Sequence, residues 1–412
     1  MRIALVCGAM RPREDGVADY TAQLARRLVE RGVEVTVLTG GEVDPEPVAG
    51  LDARRVTAAW SLRGVARAAS AIRALAPDLV HVQFAPSAYG FRRAIGLLPL
   101  LLGSGRGSAP APLVVTLHEY GSWPWQPRWL PVPAARALGR AGERAGRWDQ
   151  ETLWLVSRAD AVLCVRDESA GALRARRSDA AVRVIPIASN IAVHPTARDE
   201  ARAALRHRLG VPEDAPVAAF FGFLHPVKGL PYLLDAVTRL RDQHPWLRLV
   251  IAGGFTSLAL PQVEADAYRG EIEATIARLG LQPVVHLTGW QPEPEVSRLL
   301  QGADLAVLPF TQGVTAKSGS LFAVLAHGLP TVATSPPGEP SDPEPGMLRV
   351  PVRDPQALAD AIGRLLDDPD LAARLAAEAR AAVPADPWGA IANAHCEVYT
   401  QLLSARRPVP AA

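Results

Sequence analysis

Short apolar runs of strand length alternate with helix-period segments along this chain, and the whole rhythm occurs twice. In the first half the runs are residues 3–7, 33–38, 79–82, 112–117, 159–165 and 182–187. They are separated by helical spacing over 17–31, 62–74 and 134–157 and after Asp167. In the second half the runs are 215–222, 247–254, 284–289, 303–310 and 330–334, with helical spacing from Gly229 and over 264–279, 293–301 and 318–327. Strands that read as continuous apolar runs and alternate with helices specify a parallel sheet covered on both faces. The fold class expected is therefore α/β, with two Rossmann-like doubly wound domains.

Between the halves the pattern loosens around Pro195, Pro212 and Pro216, which flank one charged helix, so the linker is placed near 188–197. The expected division is an N-terminal domain over 1–190, a C-terminal domain over 191–386, and a last helical segment, 387–412, returning to the first domain. A chain of 412 residues supports two such cores. Ligands of open α/β sheets bind outside the carboxyl ends of the strands, so two such domains are expected to face each other across a ligand-binding cleft.

Charge excludes one class of partner. The 44 basic and 42 acidic residues leave a net charge of +2 with no long basic run, which gives no field for capturing nucleic acid. Cys7, Cys164 and Cys396 are odd in number and far apart in apolar surroundings, as expected of reduced thiols in a cytoplasmic protein. The first apolar run leads straight into a glycine-bearing loop, so it reads as a buried strand and not as a leader. The run at 95–102, interrupted by Pro99, is too short to span a bilayer, which takes about 20 residues.

The residues with chemical potential fall at strand ends. Gly16 precedes the first helix, where free N–H groups and the helix dipole favour an anion or acceptor; a tight turn with Asp15 as a helix cap explains it equally well. His118 and Glu119 follow directly on the strand 112–117, with Tyr120 and Trp123 close behind. His118 is suited to a hydrogen bond to a sugar hydroxyl or to dipolar support of developing charge. Asp19, Glu119, Tyr120 and Trp123 are the candidate acceptor or sugar contacts. Trp123, Trp125, Arg128 and Trp129 form an aromatic, basic loop. It either packs under its own backbone, walls a small-molecule pocket, or rests on a membrane surface.

In the second half, Gly222 and Lys228-Gly229 lie between a strand and a helix. A cation there is misplaced for the helix dipole and well placed for a diphosphate. Lys317, Ser318, Gly319 and Ser320 make a second loop of this kind, a small-residue phosphate cradle with a lysine. Gly253-Gly254 and Thr288-Gly289-Trp290 also fall at strand ends, where exposed backbone suits a base or ribose and ordinary turns are an equal explanation. No cluster of the HxxxH, HExxH or CxxC kind occurs, and no metal is expected.

At these residues the chain resembles the GT-B glycosyltransferases, and among them the large retaining group called family 4. The resemblance rests on residues 15–39, on DLVHVQF and VVTLHEYG, and on FFGFLHPVKGL, HLTGW, ADLAVLPF and LAHGLPTVAT, in family order over nearly the whole length. It implies metal-free transfer of a sugar from a nucleotide-diphosphate donor to a small-molecule or lipid-linked acceptor, with possible peripheral membrane contact. It implies that Gly16 lies near the donor phosphate and acceptor, that His118 approaches the transferred sugar, and that Lys228 binds the diphosphate. Thr315 and Ala323 stand where the family has paired glutamates, and Phe223 where an arginine is frequent. Lys317, with Ser318, Gly319 and Ser320, is expected to rebuild the missing contacts. His118, Lys228 and Lys317 are then the catalytic candidates, and Gly16, Gly222, Gly253, Gly289 and Trp290 join the two lysines and Ser318–Ser320 as donor-binding residues. Two other activities fit the same residues: a non-catalytic nucleotide-sugar-binding subunit, and a GT-B nucleotide-sugar epimerase.

Overall fold

In the computed structural model, which describes residues 1–10, 16–48, 50–103, 111–127, 129–177, 181–255, 261–315, 318–338 and 344–406, the apolar runs are parallel strands. The chain forms two units: Met1–Ile187 with Asp386–Ala412, and Ala188–Ala385.

The first unit contains β1 (Arg2–Cys7), α1 (Gly16–Val29), β2 (Glu34–Gly40), β3 (Asp52–Thr57), α2 (Leu62–Leu75), β4 (Leu79–Phe84), α3 (Leu98–Leu102), β5 (Leu113–Leu117), α4 (Val132–Arg144), α5 (Trp154–Ser157), β6 (Ala161–Cys164), α6 (Asp167–Arg176) and β7 (Val182–Val184). The second contains α7 (Arg198–Leu209), β8 (Val217–Phe221), α8 (Leu230–Leu240), β9 (Arg248–Ala252), α9 (Gln262–Arg278), β10 (Val285–Gly289), α10 (Glu293–Gly302), β11 (Leu305–Leu308), α11 (Gly319–Ala326), β12 (Thr331–Thr334), β13 (Met347–Val350), α12 (Pro355–Asp367) and α13 (Pro369–Ala382). The last helix, α14 (Pro387–Ala405), belongs to the first unit, where Arg31 at the end of α1 donates to Asn393 Oδ1 at 2.7 Å and to the Gly389 carbonyl at 3.0 Å.

The first sheet has the order β3-β2-β1-β4-β5-β6-β7 and the second β10-β9-β8-β11-β12-β13, each parallel throughout. The winding direction reverses between β1 and β4 and between β8 and β11. Flanking connections there leave on opposite faces and open a crevice at the strands' carboxyl ends. The central strands β1, β4, β5, β8, β9 and β11 are nearly all buried, which explains why they read as unbroken apolar runs. An Asp-Pro pair starts each of the last three helices: Asp354, Asp368 and Asp386 accept from backbone N–H groups three residues on, and the following prolines occupy the first turn.

Five details differ from the sequence reading. β3 and β13 were not expected: β3 is an edge strand that buries little and carries the charged sequence DARRVT, and β13 is an edge strand of only four residues, MLRV. The helical region 134–157 is two helices separated by a buried polar turn, and the run 182–187 is strand only to Val184. The helix from Gly229 is preceded by a single 3-10 turn, Pro226–Lys228. Among the described residues no helix is long and apolar enough to cross a membrane, and no group of three or more His, Cys, Asp or Glu is placed to hold a metal ion.

Candidate active site

At the switch point of the second sheet the backbone is drawn unusually tight. Gly222 follows β8 with φ +146°, and a Cβ there would stand 2.6 Å from Ser320 Oγ. Gly253 follows β9 with φ +152°, and its Cβ would lie 1.9 Å from the Gly222 carbonyl oxygen. Gly222 N–H donates to Ala252 at 3.0 Å and Gly253 N–H to Gly289 at 3.1 Å. Three of the glycines singled out in the sequence thus form one step across the ends of β8, β9 and β10, with Ser320 of α11 against the first. At Gly222 and Gly253 only glycine admits this approach, because a Cβ would meet Ser320 or the Gly222 carbonyl and L side chains rarely adopt their φ.

Lys228 is held beside this step. Thr311 N–H donates to the Val227 carbonyl at 2.9 Å, which ties the 3-10 turn to the end of β11. The Lys228 Nζ stands 3.7 Å from the centroid of the Phe310 ring. Burial lowers its amine from the ordinary 10.5 to about 8. Among the described residues no carboxylate pairs with it, so a mostly buried cation lies at the switch point with only a ring face for a partner. Ser318 caps α11, its Oγ accepting from Leu321 N–H at 3.2 Å while its O–H remains a donor, and nothing lies within 4 Å of a Cβ built on Gly319. The approach to the first turn of α11 is open at that point. Trp290 is 42% exposed. Ala323, at a family glutamate position, is fully buried in the core of this unit. Lys317 lies outside the described residues, as do Asp15 and Arg128.

In the first unit Gly16 is the first residue of α1, and a Cβ there would meet nothing within 4 Å. Packing therefore does not demand glycine at that position. Asp19 lies partly buried in the first turn of α1. His118, just past β5, is partly buried; its Nε2 is 2.8 Å from Gln83 Oε1 and its ring meets Tyr20 edge-on at 4.8 Å between centroids. Burial, with a smaller contribution from His395, lowers His118 to about 3, so the imidazole is neutral at any working pH.

The loop beyond His118 is anchored from below. Glu119 is exposed, but Tyr120 turns inward: it is buried, its hydroxyl donates to Asp149 Oδ2 at 2.5 Å, and the Arg176 guanidinium covers its ring at 4.9 Å. Gly121 N–H donates to Glu151 Oε2 at 2.9 Å, and Arg176 donates to Glu151 Oε1 at 2.6 Å. Arg93 binds the Trp123 and Pro124 carbonyls at 2.9 and 3.0 Å and stacks on the Trp123 ring at 3.6 Å. Tyr120 is thus buried in a hydrogen-bonded network, and half-buried Trp123 is held by Arg93 through its carbonyl and its ring.

Sequence reasoning passed over Gln83 and His81, although two polar residues two apart on a buried strand share a face and are a signal for a polar network. Phe310, Arg93, Asp149, Glu151 and Arg176 had no local signal, since their partners are distant in sequence.

Residues 15–192 match the family described as Glycosyltransferase Family 4, and residues 215–368 match Glycosyl transferases group 1. The chain is 28% identical to the D-inositol 3-phosphate glycosyltransferase of Streptomyces scabiei over 95% of this chain and 87% of that one. It is 29% identical to the corresponding protein of Kineococcus radiotolerans over 95% and 91%. Its fold is similar to that of sucrose-phosphate synthase from Thermosynechococcus elongatus (TM-score 0.71, 22% identity, 98% of this chain and 100% of that one). It is similar also to HepE of Anabaena in complex with UDP and glucose (TM-score 0.69, 19% identity, 97% and 100%). Two family matches that together span both units, and relatives aligned along almost the whole length, make the chain a glycosyltransferase of the GT-B type, resembling family 4.

Proposed function

We propose that the protein transfers a sugar from a nucleoside-diphosphate sugar to an acceptor nucleophile, with retention at the anomeric carbon and without a metal. The observation that carries this reading is Lys228, a mostly buried ammonium without a carboxylate partner among the described residues, set at a topological switch point. A cation so placed attracts a diphosphate strongly, since opposite unit charges about 4 Å apart at an effective dielectric near 20 interact by about 4 kcal/mol. The glycine step at Gly222, Gly253 and Gly289 draws the carboxyl ends of β8, β9 and β10 together beside α11, and Gly319 opens the N-terminus of α11 to phosphate oxygens. Lys317 is assigned to the same diphosphate, and Gly16 to its sugar end.

In the proposed reaction the anomeric carbon–oxygen bond breaks, charge grows on the leaving diphosphate, and Lys228 stabilises it. The acceptor attacks from the face the diphosphate leaves and passes its proton to that diphosphate, so no protein nucleophile is required. A neutral His118 contacts the sugar by hydrogen bonding. UDP-sugars are the first donors to try, because HepE binds UDP-glucose.

On the acceptor side, exposed apolar and basic side chains in and around α4 favour a lipid-linked compound at an anionic membrane. Trp129 is 77% exposed, Phe91 55% and Leu138 51%, and the exposed Arg136, Arg140, Arg144 and Arg147 form no ion pair among the described residues. Exposed aromatic and apolar side chains beside unbalanced arginines suit the headgroup layer of such a membrane. Sedimentation with anionic vesicles, lost on Trp129→Ser, supports a lipid-linked acceptor. Failure to bind any vesicle leaves a small-molecule acceptor as the reading.

The donor proposal is tested with purified protein and a panel of UDP-, GDP-, ADP- and dTDP-sugars, following heat of binding and release of nucleoside diphosphate. Binding of one donor, with diphosphate release increased by acceptor, is expected. Release that needs no acceptor and leaves an epimerised sugar would make it an epimerase. Binding that no acceptor converts to release would make it a binding subunit.

A further inference from the structure

His118 is the end of a buried polar chain that runs back to the last helix. Strand β4 places His81 and Gln83 on the same side of the sheet. Gln83, fully buried, bridges two histidines: its Oε1 is 2.8 Å from His118 Nε2, and its Nε2 is 3.2 Å from His81 Nε2. His81, also fully buried, reaches Thr116 Oγ1 through Nε2 at 2.8 Å and the Tyr399 hydroxyl of α14 through Nδ1 at 2.7 Å. His118 Nδ1 has no hydrogen bond among the described residues.

With the Gln83 amide oriented so that Oε1 faces His118 and Nε2 faces His81, these contacts have one consistent assignment. The amide oxygen only accepts and its NH2 only donates. His118 Nε2 must therefore carry the proton given to Gln83 Oε1, and His81 Nε2 must be the bare nitrogen that receives the Gln83 N–H and the Thr116 O–H. His81 then has its proton on Nδ1 and donates it to the Tyr399 oxygen. Each ring is neutral in this arrangement, in keeping with the burial that holds His81 well below its ordinary range and His118 near 3. Among the described residues the groups that face the two rings are Tyr20 from α1, Thr116 from β5, and His395 and Tyr399 from α14, and none of these is a carboxylate that would favour an imidazolium.

We propose that Gln83 is the positioning residue for His118: backed by His81, Thr116 and Tyr399, it locks the ring in the Nε2–H tautomer and leaves Nδ1 as a hydrogen-bond acceptor. The ligand group opposite His118 must then be a donor, a sugar hydroxyl and not a carbonyl or carboxylate oxygen. This rests on the reading of His118 as a sugar contact. It adds that a residue outside the loop, and a helix from the far end of the chain, set which half of the imidazole the sugar meets. A histidine's free nitrogen takes its character from the bond made by the other one.

The test has two independent arms. The first is the histidine side-chain 15N spectrum of the ligand-free protein, with His118 assigned by its loss in His118→Asn. The wild type is expected to show His118 as the Nε2–H tautomer and His81 as Nδ1–H. In Gln83→Met the His118 tautomers are expected to mix, and in Gln83→Glu the carboxylate is expected to raise the titration of His118 toward neutral pH. Tyr399→Phe keeps the ring packing and removes the acceptor of His81. It is expected to loosen both rings, and it serves if the buried Gln83 variants do not fold. An Nδ1–H tautomer at His118 in the wild type, or an unchanged tautomer in Gln83→Met and Tyr399→Phe, overturns the proposal. The second arm is donor turnover. A fall in kcat of roughly 10- to 100-fold in Gln83→Met, with donor KM little changed, is the size expected of a partner that orients a functional histidine. Altered tautomers with unchanged turnover would instead overturn His118's place in the reaction while leaving the positioning intact.

Discussion

Replacing Lys228 with methionine separates what the lysine does for the fold from what it does for a ligand. Burial lowers the amine from 10.5 to about 8 in the folded protein. At about 1.4 kcal/mol per tenfold change, keeping it charged costs roughly 3 kcal/mol at neutral pH. The contact of Nζ with the Phe310 ring at 3.7 Å returns roughly 0.5–2 kcal/mol of that. Lys228→Met, which keeps the stem and loses the charge, is therefore expected to make the free protein more stable by about 1–2 kcal/mol at pH 7, read from urea denaturation. The pH dependence has a definite sign. Because the folded amine titrates below the unfolded one, its penalty is full below about pH 8 and fades between 8 and 10.5, so the gain should close as pH rises through that window. The same variant is expected to lose donor turnover by roughly 10²- to 10³-fold, the size of losing one charge-stabilising group. A variant that is less stable at pH 7 and still binds and turns over the donor would refute the argument, and would make Lys228 a structural partner of Phe310.

Raising pH from 7 to 9 should weaken nucleotide binding about tenfold as Lys228 loses its proton, with proton uptake on binding visible by calorimetry in buffers of different ionisation enthalpy; a flat profile speaks against a lysine–diphosphate contact. Gly222→Ala, which drives a Cβ toward Ser320 at φ +146°, should lower both stability and donor affinity. Gly16→Ala, with open space around it, should leave stability the same or raised by about 0.4–1 kcal/mol while reducing turnover; thermal melts and a turnover assay on the pair decide. Asp304 holds the buried Arg206 at 2.6 Å and accepts Val217 N–H at 2.7 Å, so Asp304→Ala should cost about 3–5 kcal/mol in urea denaturation by leaving that guanidinium unpaired. A loss under about 1 kcal/mol would mean that the Gly302 carbonyl, 2.7 Å from Arg206, compensates it.

The two parallel sheets were legible in the sequence because their strands are buried on both faces, and burial of that kind leaves an apolar run that nothing else in a soluble chain requires. The edge strand β3 was not, since it buries too little to impose a pattern on DARRVT, and β13 is too short, at four residues, to stand out from its flanks. Strand-end positions were legible too: Gly222, Gly253 and Gly289 follow strands of the second sheet, and His118 follows a strand of the first. What the sequence left undecided was the company each side chain keeps. Tyr120 and Trp123 are polar and aromatic neighbours of His118 in the sequence, yet Asp149 holds the first and Arg93 the second. Lys228 is an ordinary helix-start lysine until Phe310, 82 positions on, closes over it. The tautomer of His118 depends on Gln83 and on Tyr399, the latter 281 residues away. Periodicity is a local consequence of burying one side of an element, so one chain suffices to read it. Hydrogen bonding, desolvation and charge pairing depend on distances between elements, and only the tertiary structure decides those.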